Sequence, residues 1–189
     1  GHDTASIGGL VSLPILIIAS LNEGNLSTTN AQALNHQRLT HRSPSLEIYS
    51  SELSALLFHI FHDTNPNIEE LACAAASRLG FPAAKVVASV RSKQSSDCDV
   101  IGGLLSSACY VDQSFPSVLY LASRYSNNFE AALIANTNVG GDNCHRGAVL
   151  GAILGSSLGF EAIPKRWIDG LIAHDELNNE IETFIKRFE

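Results

Sequence analysis

A chain of 189 residues with 45% hydrophobic and 16% charged residues has an ordinary globular composition and room for one hydrophobic core, which excludes disorder and requires no second domain. The net charge of -7 and the scatter of its 12 Lys and Arg residues provide no basic field, which argues against a nucleic-acid partner. Cys73, Cys98, Cys109 and Cys144 have neither zinc-ribbon nor redox spacing, so we expect free thiols and a cytoplasmic protein.

Alanine and leucine recur at helical spacing and β-branched runs are few, so the expected fold is all-α, one helical domain over residues 1–189 without strands. The first helix is expected over residues 4–21. Its apolar run, residues 7–21, contains Pro14 and lacks a basic leader. It is too short for a membrane span and reads as a core helix, so no membrane partner is expected. A loop follows over residues 22–27, then helices over 28–38 and 45–62, the latter with Leu53, Leu56, Leu57, Ile60 and Phe61 on one stripe. Asn65-Pro66, or Asn67 with Glu70, opens a helix that ends at Gly80.

Residues 83–90 are expected to be helical, 91–99 a loop and 102–110 a short buried helix. A helix over 112–125 should turn Phe115, Val118, Leu119 and Ala122 inward, and Asn128 should cap another running to Asn136. Tyr110, Phe115, Tyr120, Tyr125 and Phe129 are assigned to the core. The final helix, 176–188, carries Leu177, Ile181, Phe184, Ile185 and Phe188 on one face. The sequence contains no Met, even at its start, so we expect a processed or partial chain.

The most informative stretch is Asn136-Thr137-Asn138-Val139-Gly140-Gly141-Asp142-Asn143-Cys144-His145-Arg146-Gly147. Paired glycines can take positive φ and admit a ligand close to the backbone, and Asp142 sits where the next helix leaves unpaired N–H groups. That helix repeats glycine at 147, 151, 155 and 159, a groove against which another helix can press. Asp142 reads equally as a helix cap or a ligand-binding acid. Cys144 and His145 could form a soft-metal or thiol site with it, but as sequence neighbours they point about 100° apart on a helix. Cys144 reads otherwise as an inert thiol, and His41 as a loop histidine.

With this loop, the glycine-spaced helix and the helical pattern, the chain resembles the ADP-ribosylglycohydrolase family, which includes the J1 crystallins. The likeness runs from residue 1 to about residue 171 and includes Pro164 and Trp167 in a closing proline-tryptophan segment. It implies a compact orthogonal helical bundle, completed by an N-terminal portion or partner chain, or failing that a homo-oligomer. It also implies hydrolysis of an ADP-ribosyl glycosidic linkage, with ADP-ribose or an ADP-ribosylated substrate as partner and magnesium as cofactor. In the family a Gly-Gly-Asp-Thr-Asp-Thr segment supplies half of a two-magnesium site, and a Thr-Asp-Asp segment, expected upstream of this chain, supplies the rest.

Carried onto this sequence, the resemblance makes Asp142 the catalytic acid and a metal ligand. Cys144 and His145 stand where the family has its second Asp and a Thr, as the other metal positions. Gly140, Gly141 and Arg146 would bind substrate, Asp3 and Thr4 would line its phosphate end, and His41 of the Thr40-His41 pair would touch it. The exchange of Asp and Thr for Cys144 and His145 replaces hard oxygen ligands by soft ones, which magnesium accepts poorly. The alternative is therefore a catalytically inactive, crystallin-like structural or binding protein.

Overall fold

The computed structural model describes residues 1–187. Its helices are α1 (Leu13–Ser20), α2 (Leu26–Thr40), α3 (Pro44–His62), α4 (Ile68–Arg78), α5 (Ala83–Lys93), α6 (Asp97–Asp99), α7 (Val111–Arg124), α8 (Phe129–Val139), α9 (Asn143–Leu158), α10 (Lys165–Asp169) and α11 (His174–Ile185). Among the described residues there is no strand, only two isolated bridges, so the fold is all-α as expected. No single helix among them is long and apolar enough to cross a membrane.

The core is built around α7, whose Phe115, Val118, Leu119, Tyr120, Leu121 and Ala122 are all fully buried. Helices α4, α5 and α9 pack on it, α8 packs on α9, and α1, α2 and α3 form an adjoining layer. Leu53, Leu56, Leu57 and Ile60 of α3 meet this core as their spacing predicts, whereas Phe61 is exposed. Each buried Leu, Ile or Phe contributes about 1.5–3 kcal/mol of transfer free energy. Local caps agree with the sequence: Asn67 accepts from the Glu70 N–H, and Asn128 from the Ala131 N–H.

Three expectations require correction. The first helix begins late: residues 1–6 are not helical, Ile7–Leu10 is a 3₁₀ turn, and α1 starts only at Leu13. The early backbone groups find partners elsewhere, with His2 N–H donating to Thr40 O, Arg42 N–H to His2 O and Ile7 N–H to Cys109 O. Helix formation there would forfeit those bonds. The apolar run is covered mostly by this chain itself, since Ile7, Leu10, Leu13 and Ile17 are fully buried.

Residues 91–99 are largely helical, because α5 continues to Lys93 and Ser96 and Asp99 form a reciprocal capping box that starts α6. The Asp97 carboxylate accepts from Tyr120 Oη at 2.8 Å and Tyr125 Oη at 2.5 Å, while Arg124 pairs with it at 3.3 Å. Burial first, then the Asp97 hydrogen bond, pushes the Tyr125 hydroxyl up to about 12 and the Tyr120 hydroxyl higher still. Both phenols therefore stay protonated donors and pin α6 to α7.

The expected helix at 102–110 is absent. A π-turn at Val100–Leu104 leaves Gly102, Gly103 and Leu104 exposed, and the chain from Leu105 to Tyr110 is irregular, with Tyr110 exposed rather than in the core. The last helix is present as α11, but none of its residues is buried. Phe188, expected on its apolar face, lies outside the described residues.

Candidate functional site

Three irregular segments converge at the start of α9: residues 1–10, 105–110, and the glycine-acid loop. Apart from the 3₁₀ turn at Ile7–Leu10, they have little regular structure of their own and hydrogen-bond to one another's backbone. Val111 N–H donates to Ala5 O, Ile7 N–H to Cys109 O, and Asp142 N–H to Ser107 O at 2.9 Å. The stretch wrongly expected to be a helix is thus the bridge between the N-terminal segment and the loop.

Both loop glycines have positive φ, 73° at Gly140 and 64° at Gly141, a region costly for other residues. Their surroundings differ. A Cβ on Gly141 would lie 2.1 Å from Ser107 O, so this glycine lets two backbones touch, whereas a Cβ on Gly140 would meet open space. Gly140 leaves open space beside its Cα, while its N–H donates to Thr137 O and its carbonyl accepts from Arg146 Nη2.

Arg146 holds this loop from below. It is fully buried, and its guanidinium donates from Nε to Asn136 Oδ1 at 2.6 Å, from Nη2 to Asn136 O at 3.1 Å and Gly140 O at 2.9 Å, and from Nη1 to Ser107 O at 3.4 Å. Burial lowers its pKa and the Asp142 charge opposes that. Asn136, itself buried, donates from Nδ2 to Asn143 O at 2.9 Å. The planar fork therefore ties α8, the loop and residue 107 together rather than reaching out to solvent.

The Asp142 side chain is mostly covered, with 18% of its surface accessible. It occupies the N-cap position of α9 yet accepts no capping N–H. Its two oxygens lie 2.9 and 3.1 Å from His145 Nδ1, where an N–H can donate to both. The His145 ring is half exposed and lies over Gly8, where a Cβ would be 3.6 Å from the ring. Over the adjoining Gly9, a Cβ would come within 3.0 Å of His41 Cγ and 2.5 Å of Leu46 Cδ2. The Gly8-Gly9 turn is thus the floor between the two imidazoles.

His41 accepts or donates through Nδ1 to Thr40 Oγ1 at 2.9 Å and packs edge-on against His2, with ring centroids 4.1 Å apart. Burial lowers its pKa, and the His2 and N-terminal charges add to that. Asp3 and Thr4 are exposed on the same segment, with Thr4 N–H donating to His2 Nδ1 at 3.3 Å.

Of the residues chosen from sequence, the structure brings Asp142 and His145 into contact, with Gly140, Gly141 and Arg146 around them, and sets His41, Asp3 and Thr4 across the Gly8-Gly9 turn. Cys144 is exposed and turned to Asn143 Oδ1 at 3.5 Å, away from the Asp142–His145 pair. No three His, Cys, Asp or Glu side chains gather with metal-holding geometry among the described residues. One carboxylate already engaged by an imidazole, with a thiol pointing elsewhere, does not fit magnesium, which requires several oxygens in an octahedron.

Sequence reasoning missed Ser107, Asn136 and the Gly8-Gly9 pair. A double glycine inside an apolar run, at about 1 kcal/mol per helical position, was a legible signal of close approach; nothing local marked Ser107, and Asn136 opens the informative stretch but was assigned no part in the site. The family model described as ADP-ribosylglycohydrolase matches residues 1–189. No curated protein matches the chain.

Proposed function

Because the chain belongs to the ADP-ribosylglycohydrolase family, a family of metal-dependent hydrolases in general terms, we propose that it binds the ADP-ribosyl group of a glycosidic conjugate over the start of α9. The observation that carries this reading is the Asp142–His145 pair, held on a loop that four guanidinium hydrogen bonds brace from the buried side. Preorganised polar groups of this kind are the mark of a site rather than of a surface.

In this reading Asp142 and His145 meet the glycosidic carbon's substituents. The pair takes a proton from the attacking water as its oxygen bonds to the anomeric carbon, and the departing group leaves with a proton as its bond to that carbon breaks. Gly140, with open space beside its Cα, gives the ribose room to approach. The exposed Asp3 and Thr4 and the half-buried His41 line the phosphate end, and the α9 N-terminus favours the anionic pyrophosphate. Arg146 serves by holding the loop, its donors being spent on protein acceptors.

A second reading, a binding scaffold without catalysis, is favoured by the donor set: Cys144 and His145 in place of hard ligands give magnesium no octahedron. Titration calorimetry with ADP-ribose, with and without magnesium, separates the two alongside a hydrolysis assay on an ADP-ribosylated peptide. Binding with turnover supports the enzyme, and binding without turnover at any magnesium concentration supports the scaffold. Absence of ADP-ribose binding sinks both.

A further inference from the structure

Tyr49 of α3, residues 79–81 between α4 and α5, residues 104–106 and the start of α7 surround a cavity of about 500 Å³. None of the residues assigned to the ADP-ribosyl site lines it, so a ligand there is independent of that reading. Its walls are apolar at Phe81, Leu105 and Pro116, and among the described residues that line it Asp112 alone is charged. The Asp112 carboxylate stands exposed at the mouth and takes no ion pair or hydrogen bond within the chain among the described residues. Pro116 adds a second acceptor. It sits inside α7, four residues after Asp112, and has no N–H, so the Asp112 carbonyl loses its helical donor. The Tyr49 hydroxyl is the third, with no hydrogen-bond partner among the described residues and its ring held edge-on against Phe115, centroids 5.8 Å apart. Burial first, then the Asp112 charge, raises its pKa, so the phenol keeps its proton and its oxygen keeps lone pairs to offer.

We propose that this cavity binds a small organic ammonium ion, its N–H groups directed to the Asp112 carboxylate, the Asp112 carbonyl and Tyr49 Oη, with its apolar body against Phe81, Leu105 and Pro116. The lining selects this class of ligand. An ammonium brings three N–H donors and no acceptor, which matches a set of acceptors with one negative charge and no Lys, Arg or His beside it. A carboxylate or phosphate would meet the Asp112 charge with no cation to offset it. A neutral apolar molecule would strip water from the three oxygens and give them nothing in return. A few polar groups converging on an apolar wall is also the usual composition of a small-molecule site.

The probe is phenethylammonium, titrated to about 10 mM into the isotope-labelled 189-residue chain and followed by amide chemical shifts. Saturating shifts are expected at residues 79–81, 104–106 and 112–113, with a Kd of about 0.1–1 mM, the range open to a ligand of about nine heavy atoms. Phenylacetate, which joins the same ring to the opposite charge, binds at least about tenfold more weakly. Asp112→Asn removes the charge at an exposed position and weakens phenethylammonium about tenfold, and Tyr49→Phe weakens it about threefold. Both variants keep the amide pattern of the folded chain. Absence of saturation over that range, saturation confined to other residues, equal affinity for phenylacetate, or full affinity in Asp112→Asn or in Tyr49→Phe overturns the assignment. ADP-ribose takes no part in these titrations, so their failure leaves the ADP-ribosyl reading to its own test.

Discussion

Arg146→Ala is the most demanding perturbation of the loop. It removes donors to four acceptors, of which Asn136 Oδ1 and Asn136 O are buried and lose their guanidinium partner without gaining water. Each orphaned buried acceptor costs about 1–3 kcal/mol, and the partly wet Gly140 and Ser107 carbonyls cost less. Releasing a buried charge offsets part of the loss. The net expectation is about 3 kcal/mol of destabilisation, a large share of the roughly 5–15 kcal/mol of an ordinary domain, or about 6–12 °C in Tm for a chain of this size. Urea denaturation followed by circular dichroism measures it. Arg146→Lys keeps the charge but not the fork, so it should recover less than half. A loss below about 1 kcal/mol for Arg146→Ala would refute the argument that this guanidinium carries the loop.

Asp142→Ala should change stability by less than about 0.5 kcal/mol, since its carboxylate caps nothing, while abolishing ADP-ribose binding in calorimetry; the converse result would return it to a structural role. Gly147→Ala places a Cβ 2.9 Å from Asn136 Nδ2 and should destabilise by about 1 kcal/mol, whereas Gly155→Ala, 3.8 Å from Phe129, should stabilise by about 0.5–1 kcal/mol; equal effects in thermal melts would contradict the packing described. His41 has its folded pKa below the unfolded value, so the unfolded chain takes up the proton first as pH falls. Its contribution is full above the ordinary histidine value of 6.5 and is lost as pH drops through that value toward the folded pKa. His41→Gln should flatten the decline in denaturation midpoint across that window, and an unchanged slope would show that another group titrates there.

The all-α class, most helix positions and the importance of the glycine-acid loop were legible in residue order, because helical periodicity, Asx caps and glycine pairs are local signals. So was the inward face of α7, where Phe115, Val118, Leu119 and Ala122 lie on one stripe. What tertiary structure decided was the fate of backbone groups that two distant segments could compete for. Residues 1–7 and 105–111 are held by bonds between distant segments, Ile7 N–H to Cys109 O, Val111 N–H to Ala5 O and His2 N–H to Thr40 O, and no periodicity encodes a partner tens of residues away. The same holds for Arg146, which follows the loop in sequence like a ligand-facing cation but folds under it. Only the arrangement of α8 against α9 supplies Asn136 and closes off the water that an exposed guanidinium would prefer.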